Sequence, residues 1–437
     1  MLDRLTANLT ENLLQRAFEP LVRTGQLEVV APSGRTLRFG DGGRPQARIR
    51  FSDKRAVLAL LRDPDLNFGE MFMQQRLQVE QGTIYEVLEL ILRGAKQVPV
   101  SASVRLLDAW RMRLRPLLQH NRRARSRANV AHHYDLDDRL YRLFLDSERQ
   151  YSCAYFERGD EDLETAQLAK KRHIAAKLLI EPGQRVLDIG CGWGGLSRYL
   201  AEVAGAGQVT GITLSTEQLA GARQRAAQSP CGDRLEYRLE DYRDTRGPFD
   251  RIVSVGMFEH VGAQFHEAFF RQCHELLSDD GVMLLHFIGN SDVPDFNNPW
   301  IERYIFPGGH IPSMSEFTPA IERAGLVICD IEVLRLHYAQ TLRLWRERFM
   351  AHCAEAAALY DERFCRMWEF YLSMSETAFR YQDIAIFQVQ LARCQEAVPL
   401  TRDYIARREA ALKTREPGAG LVAPVMAGAA KIRASSA

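Results

Sequence analysis

The chain has 437 residues, enough for two or three domains at roughly 150 residues each. Hydrophobic residues make up 46% and charged residues 26%, and 57 Lys+Arg against 56 Asp+Glu leave a net charge of +1, which excludes a globally basic nucleic-acid binder and an acidic disordered chain. Any electrostatic partner therefore has to meet a local patch.

The first twenty residues interrupt every apolar run with a charged or amide side chain, and nowhere do 18 uncharged apolar residues follow one another. The expectation is a cytoplasmic protein that does not span a membrane. Residues 27 to 51 read LEVVAP, RTLRFG and ARIRF, separated by Ser33-Gly34 and Asp41-Gly42-Gly43, which predicts an antiparallel meander. Helical spacing follows in DKRAVLALLRD and EVLELILRGA, giving a small α+β domain over 1–100 that holds no titratable constellation and reads as a lipid-binding or positioning module. Between Arg105 and Arg127, eight arginines and one acid, Asp108, give a local charge of +7. Val104, Leu107, Trp110, Leu114 and Leu118 recur there at helical spacing, with Pro116 interrupting. This stretch, 101–130, suits either a helix lying on an anionic lipid surface or a solvated linker.

From residue 183 strand and helix alternate. Strands are expected at Arg185 to Ile189, Gln208 to Leu214, Arg234 to Leu239, Phe249 to Val255 and Val282 to Phe287, each apolar on both faces. Val327 to Leu334 and Ile384 to Leu391 would close the sheet, with a helical excursion from about Ala339 to Tyr381 between them as a cap. The expected fold class is α/β, a doubly wound, mostly parallel, Rossmann-like seven-stranded sheet with a helical cap and the small N-terminal α+β domain. This catalytic domain would span 131–395, and 396–437 would be a tail, disordered at its Ala-, Gly- and Pro-rich end. The eight cysteines are scattered without a CxxC pair, which reads as free thiols with neither a disulfide framework nor a metal site.

VLDIGCGWGGLSRYLA, residues 186 to 201, places Gly190, Gly192 and Gly194 directly after the first strand of the sheet, where glycine lets the backbone approach a ligand. A dinucleotide site would want GxGxxG and an acid about twenty residues further on. Here the acid, Asp188, precedes the glycines, and the next strand ends Thr213-Leu214-Ser215. The D-x-G-x-G form looks like the S-adenosylmethionine loop of class I methyltransferases, with a nicotinamide site or a purely structural turn as the alternative.

YSCAYF at 151, LDIGCGWGG at 187, GITLSTEQ at 211, EDYRD at 240, SVGMFEHVG at 254, LLHFIG at 284, NPWIERYIFPGGHIPS at 298 and FQVQLAR at 387 together resemble the cyclopropane-fatty-acid-phospholipid synthases and their relatives, the mycolic acid cyclopropane synthases. The resemblance spans roughly 120 to 395, and the N-terminal domain is similar to one carried by the phospholipid enzymes and absent from the mycolic ones. Phe287 stands where Thr is usual and His310 where a bulkier or different residue is expected, and both are expected to bear on acyl-chain fit. The resemblance implies transfer of a methylene group from S-adenosylmethionine to the cis double bond of unsaturated acyl chains in membrane phospholipids, by a homodimer at the inner face of the membrane. It gives nucleic acid no role.

That chemistry needs the alkene within about 3 to 3.5 Å of the sulfonium methyl, in a pocket without water to trap the cation, and a general base close by. The resemblance implies that the base is bound bicarbonate and that its site matches Cys153, Glu259, His286, Ile288 and Tyr338. An anion beside a carboxylate is tolerated when the two share a proton, so the bicarbonate O–H would donate to Glu259, while His286 and Tyr338 donate to its other oxygens. Tyr338 lies where strand gives way to helix and also fits a packing role. Cys153 is expected as a neutral ligand, because a thiolate facing a sulfonium would itself be methylated. For the methyl donor, motif matching assigns Gly190, Gly192 and Gly194 to the methionine portion, with Tyr151 and Ser152 closing over it. Thr213, Leu214 and Gln218 would take the ribose side, and Asp241 and Tyr242 the adenine edge. His132 and His133 read as surface or linker residues, and the aromatics of MWEFYL and FRYQDIAIF as core or acyl-tunnel wall. Three rival readings stand beside this one: methylation of the acyl chain without ring closure, methylation of a small soluble metabolite, and lipid binding without catalysis.

Overall fold

The structure, a computed structural model, describes residues 2–96, 98, 110, 111, 113 and 137–417. Most of the Arg105–Arg127 stretch, the His132–His133 pair and the tail beyond 417 lie outside the described residues.

The N-terminal residues form a four-stranded sheet of β1 (Gln26–Val30), β2 (Thr36–Gly40), β3 (Gln46–Phe51) and β4 (Leu77–Gln81) in the order β2-β1-β3-β4. This corrects the expected meander. β1 pairs antiparallel with β2 but parallel with β3, because Gly40 and Gln46 both stand opposite Gln26 and the chain crosses over at that end. β1 is buried at four successive positions, among them Glu28, whose carboxylate pairs with Arg38 on β2 and Arg48 on β3, whereas β2 and β3 alternate in burial.

The large sheet holds β5 (Arg185–Ile189), β6 (Gln208–Thr213), β7 (Leu235–Leu239), β8 (Phe249–Val255), β9 (Leu277–Asn290), β10 (Val327–Leu334) and β11 (Ile384–Ala392), in the order β10-β11-β9-β8-β5-β6-β7. β11 alone runs against the direction of the other six strands. β9 is much longer than its apolar run, since polar Ser278 to Asp280 lead into it and Gly289 and Asn290 still pair with β11. Its faces divide by the two-residue period: Met283, Leu285 and Phe287 enter the core under one face, while Leu284, His286 and Ile288 point to the other. Phe287 therefore packs against Phe258, Phe317 and Phe387, on the face of β9 opposite His286, which corrects the expectation that it bears on acyl-chain fit.

Between β10 and β11 the helices His337–Ala351, Cys353–Leu359 and Glu362–Tyr381 form the cap. Its Trp345, Trp368 and Phe370 share one continuous hydrophobic core with Leu27, Ile49, Phe68 and Met71 of the N-terminal module, separate from the cores beneath the two faces of the large sheet. The packing is tight at Gly69 in helix Pro64–Met73, where an added Cβ would lie 2.5 Å from both Phe370 Cε1 of the cap and Trp300 Nε1 of helix Pro299–Tyr304. A valine there would gain helix propensity of under 1 kcal/mol but overpack two rigid rings, a cost of about 1–3 kcal/mol. Gly69→Val is therefore expected to lower the thermal midpoint, and an unchanged melt would show that the two halves of this core can separate freely. Among the described residues no helix is long and apolar enough to cross a membrane.

Candidate active site

Two cavities lie along the carboxyl edge of the large sheet, where the crevices of such folds bind ligands. The smaller, about 150 Å³, is lined by Gly190 and Gly192 after β5, Thr213, Leu214 and Gln218 after β6, Asp241 and Tyr242 after β7, and Tyr151 and Ser152. The larger, about 430 Å³, is lined by Cys153, Glu259, His286, Ile288, His310 and Tyr338 together with cap and N-terminal side chains. Tyr151, Ser152, Gly256 and His260 line both. These four residues mark where the two cavities adjoin.

The glycine loop is built by conformation. Gly190 has φ +81° and a Cβ there would come within 3.0 Å of Met257; Gly192 has φ +56° and open space before it. The amides of Gly190 and Cys191 both donate to Ile212 O, at 2.9 and 3.0 Å, tying the loop to β6. Gly194 is placed differently. It caps helix Gly195–Glu202 off the cavity wall, where its lack of a side chain admits Tyr237, whose hydroxyl would sit 2.5 Å from an added Cβ. Burial pushes the Asp188 carboxyl up to about 6, and Ser197 Oγ donates to it at 2.6 Å. Thr213 Oγ1 donates to Gln218 Oε1 at 2.9 Å, while both oxygens of Asp241 are engaged by Arg243. Glu240, Arg149, Trp193 and Met257 line the same cavity, and no spacing rule singled them out.

Tyr151 stacks on Trp345 with ring centroids 5.2 Å apart, and its hydroxyl lies 2.9 Å from that of Tyr371. It forms a fixed partition beside the junction. Below it is buried Lys170, whose ammonium donates to Gln150 Oε1 at 2.7 Å and Ser152 Oγ at 2.8 Å; burial pulls it down to about 8. Its signal, a lysine in the run AKKRH, is that of any surface helix. Cys153 is buried, its thiol donates to Ala154 O at 3.2 Å, and burial raises it well above the ordinary thiol range, so it is a neutral thiol.

Glu259 sits on the turn Phe258–His260 after β8, and His286 is near the carboxyl end of β9. Ile288 N donates to Glu259 Oε1 at 2.7 Å, which sets the carboxyl beside the face of β9 that carries His286. The amide of Ile288 is thus spent on Glu259, and its side chain lines the cavity. Glu259 Oε2 and His286 Nε2 are both buried without a hydrogen-bond partner among the described residues. Burial pushes Glu259 up to about 7 and His286 well below the ordinary imidazole range. His260, at the junction, is held down to about 4 by burial and is neutral. Tyr338 opens helix His337–Ala351, packed on Trp345 and Phe379 with its ring in the cavity wall.

The far wall comes from Phe68, Leu88, Ile91 and Leu92 of the N-terminal module facing Phe370, Tyr371, Met374 and Phe379 of the cap. Helix Ile84–Ala95, which carries three of these, starts at a capping box in which Thr83 Oγ1 accepts from Glu86 N and Glu86 Oε2 accepts from Thr83 N. Of the aromatics left open between core and tunnel, Phe370, Tyr371 and Phe379 line the cavity, while Trp368 is core.

The sheet order, the glycine loop and the cavity that the loop lines define an S-adenosylmethionine-dependent methyltransferase of class I. Comparison with known proteins narrows this. A family model described as mycolic acid cyclopropane synthetase matches residues 121–389, and a domain of unknown function matches residues 11–101. The chain belongs to the cyclopropane synthase family. It is 38% identical to cyclopropane-fatty-acyl-phospholipid synthase of Escherichia coli, over 80% of this chain and 89% of that one. It is 36% identical to a probable fatty acid methyltransferase of Pseudomonas putida, over 80% and 88%, and 35% identical to a tuberculostearic acid methyltransferase of Mycobacterium tuberculosis, over 82% and 87%. Among solved structures, the mycolic acid cyclopropane synthase CmaA1 complexed with SAH and CTAB superposes with a TM-score of 0.58 at 37% identity, covering 61% of this chain and 98% of that one.

Proposed function

We propose that the protein transfers a methylene group from S-adenosylmethionine to the cis double bond of an unsaturated acyl chain in a membrane phospholipid, closing a cyclopropane ring, with bound bicarbonate as the general base. One observation carries this reading: among the described residues Glu259 Oε2 and His286 Nε2 find no hydrogen-bond partner, though both are buried in the wall of a largely apolar cavity that adjoins the methyl-donor cavity. Unsatisfied buried polar atoms are costly, so a ligand is expected to complete them. Bicarbonate fits the pair, with oxygens to accept from an imidazole N–H and an O–H to donate to a carboxylate. When bound, it supplies the base that takes a proton from the transferred methyl group.

The residues of the chain perform the rest. Gly190 and Gly192 let the donor lie against the backbone, and Tyr151 and Ser152 border the opening toward the alkene. The aromatic and aliphatic walls exclude water that would trap the cation. Cys153, being neutral, offers the sulfonium no thiolate to methylate. The N-terminal module contributes Phe68, Leu88, Ile91 and Leu92 to the acyl wall, and Arg111 beside it pairs with Asp63 at 2.5 Å and lies over Phe296, a residue of the cavity lining. We place the enzyme peripherally at the inner face of the membrane as a homodimer, following the family resemblance. Vesicles of cis-monounsaturated phospholipid incubated with the protein and S-adenosylmethionine are expected to gain one CH2 in a chain that resists hydrogenation, faster when bicarbonate is present. No mass gain would overturn the lipid assignment.

The relatives named as fatty acid methyltransferases support a second reading, in which the chain is methylated without ring closure, since they are nearly as similar as the cyclopropane synthase. A product of the same mass that still takes up hydrogen would decide for it.

A further inference from the structure

Three adjacent strands place one residue each in a single row across the sheet: Glu332 on β10 stands opposite Gln388 on β11, and Gln388 opposite His286 on β9. Lys177, from helix Leu163–Leu178, reaches down onto this row; Lys177, Gln388 and His286 are all buried. The hydrogen bonds run in one direction. Lys177 Nζ donates to Glu332 Oε2 and, at 2.9 Å, to Gln388 Oε1; Gln388 Nε2 lies 3.1 Å from His286 Nδ1.

An ammonium has three donors and no acceptor, so the atom of Gln388 that faces Lys177 has to be the amide oxygen. The amide nitrogen then faces His286 and donates, and Nδ1 accepts with its lone pair. A neutral imidazole holding a lone pair at Nδ1 carries its proton at Nε2. We propose that Glu332, Lys177 and Gln388 are positioning residues that lock His286 in the Nε2–H tautomer, so that it presents a donor, and never a lone pair, to the reaction cavity. This rests on the reading above, in which His286 holds the bicarbonate. The lock serves that role twice. An Nε2–H completes an oxygen of the anion, whereas an Nε2 lone pair would repel it. A lone pair there would also be a nucleophile facing an electrophilic methyl group, as a cysteine thiolate would be. The nearby ammonium groups of Lys170 and Lys177 add to burial in keeping the ring neutral.

The test is nitrogen-15 NMR of the full chain labelled at histidine, with the His286 signals identified by their loss in His286→Asn. The wild-type spectrum is expected to show a protonated Nε2 and an unprotonated Nδ1; the reverse would overturn the proposal without any need for a variant at Gln388. In Gln388→Glu the introduced carboxylate keeps Lys177 paired but can only accept from His286, so the proton is expected to move to Nδ1. Turnover should then fall about 10- to 100-fold, while the KM for S-adenosylmethionine stays within twofold. A Gln388→Glu protein that changes tautomer yet turns over normally would also overturn it. Bicarbonate dependence of the wild type is read separately. If that dependence is missing, the bicarbonate reading fails; if it is present with the proton on Nδ1, only the tautomer lock fails.

Discussion

Glu259→Gln is expected to lower turnover by about 10² or more, the scale of general-base assistance, while S-adenosylmethionine still binds with its wild-type affinity. The separation of effects follows from placement: Glu259 lines the larger cavity and not the one that holds the glycine loop. The amide is nearly isosteric and keeps an oxygen for Ile288 N, so the fold is preserved, but it cannot share a proton with an anion as a carboxylate does. The pH profile offers a second check. With burial raising Glu259 to about 7, the free enzyme loses its carboxylate as pH falls through that value, so kcat/KM at fixed bicarbonate should show an acid limb near 7 that is absent from the variant. Folding stability moves in the opposite sense. Between its ordinary value of 4.5 and about 7 this carboxyl holds its proton in the folded chain but not in the unfolded one, so its contribution to stability falls as pH rises through that window and is level above it. Turnover unchanged by the substitution would remove Glu259 from the chemistry.

His286→Ala is expected to cost turnover on the same scale, about 10² or more, again without loss of methyl-donor affinity. On the proposed reading its cause differs, since the imidazole would donate a hydrogen bond to the bound base and would not itself be the base. Residues that hold one ligand act as a unit, so Glu259→Gln combined with His286→Ala should be little worse than either alone. Measured as kcat in the single and double variants, multiplicative losses would mean that the two side chains serve separate steps.

Much of the fold was legible because parallel strands buried on both faces leave unbroken apolar runs. β5 and β8 fall at their expected residues for that reason, and β10 does so although it is a half-buried edge strand carrying Asp330 and Glu332. The N-terminal sheet departs from the expected meander because alternation reports which face of a strand is buried and not which strand lies beside it, and the parallel β1–β3 pair is a matter of neighbours that no local spacing displays. The site divides similarly. Gly190, Gly192 and Gly194 look alike in sequence, yet only the packing of Tyr237 shows that Gly194 is a structural glycine. Gln388 stood in the quoted run FQVQLAR as a polar residue in an apolar strand, and only the strand register, which brings it opposite His286, gives it work. Lys170 carries no signal at all until the helix packs and buries its ammonium beneath Ser152.

The continuous core joining the N-terminal module to the cap bears on how substrate range can diverge in this family. Part of the lining of the larger cavity, the proposed acyl site, is supplied by a stretch of chain, residues 64–92, that lies outside the span matched by the mycolic acid family model. The methyl-donor loop, Glu259 and His286 all lie within that span. A gene that gains, loses or exchanges the N-terminal stretch therefore redraws the space offered to the acyl chain without altering a single reacting group, so selectivity and chemistry can evolve on separate segments of one polypeptide.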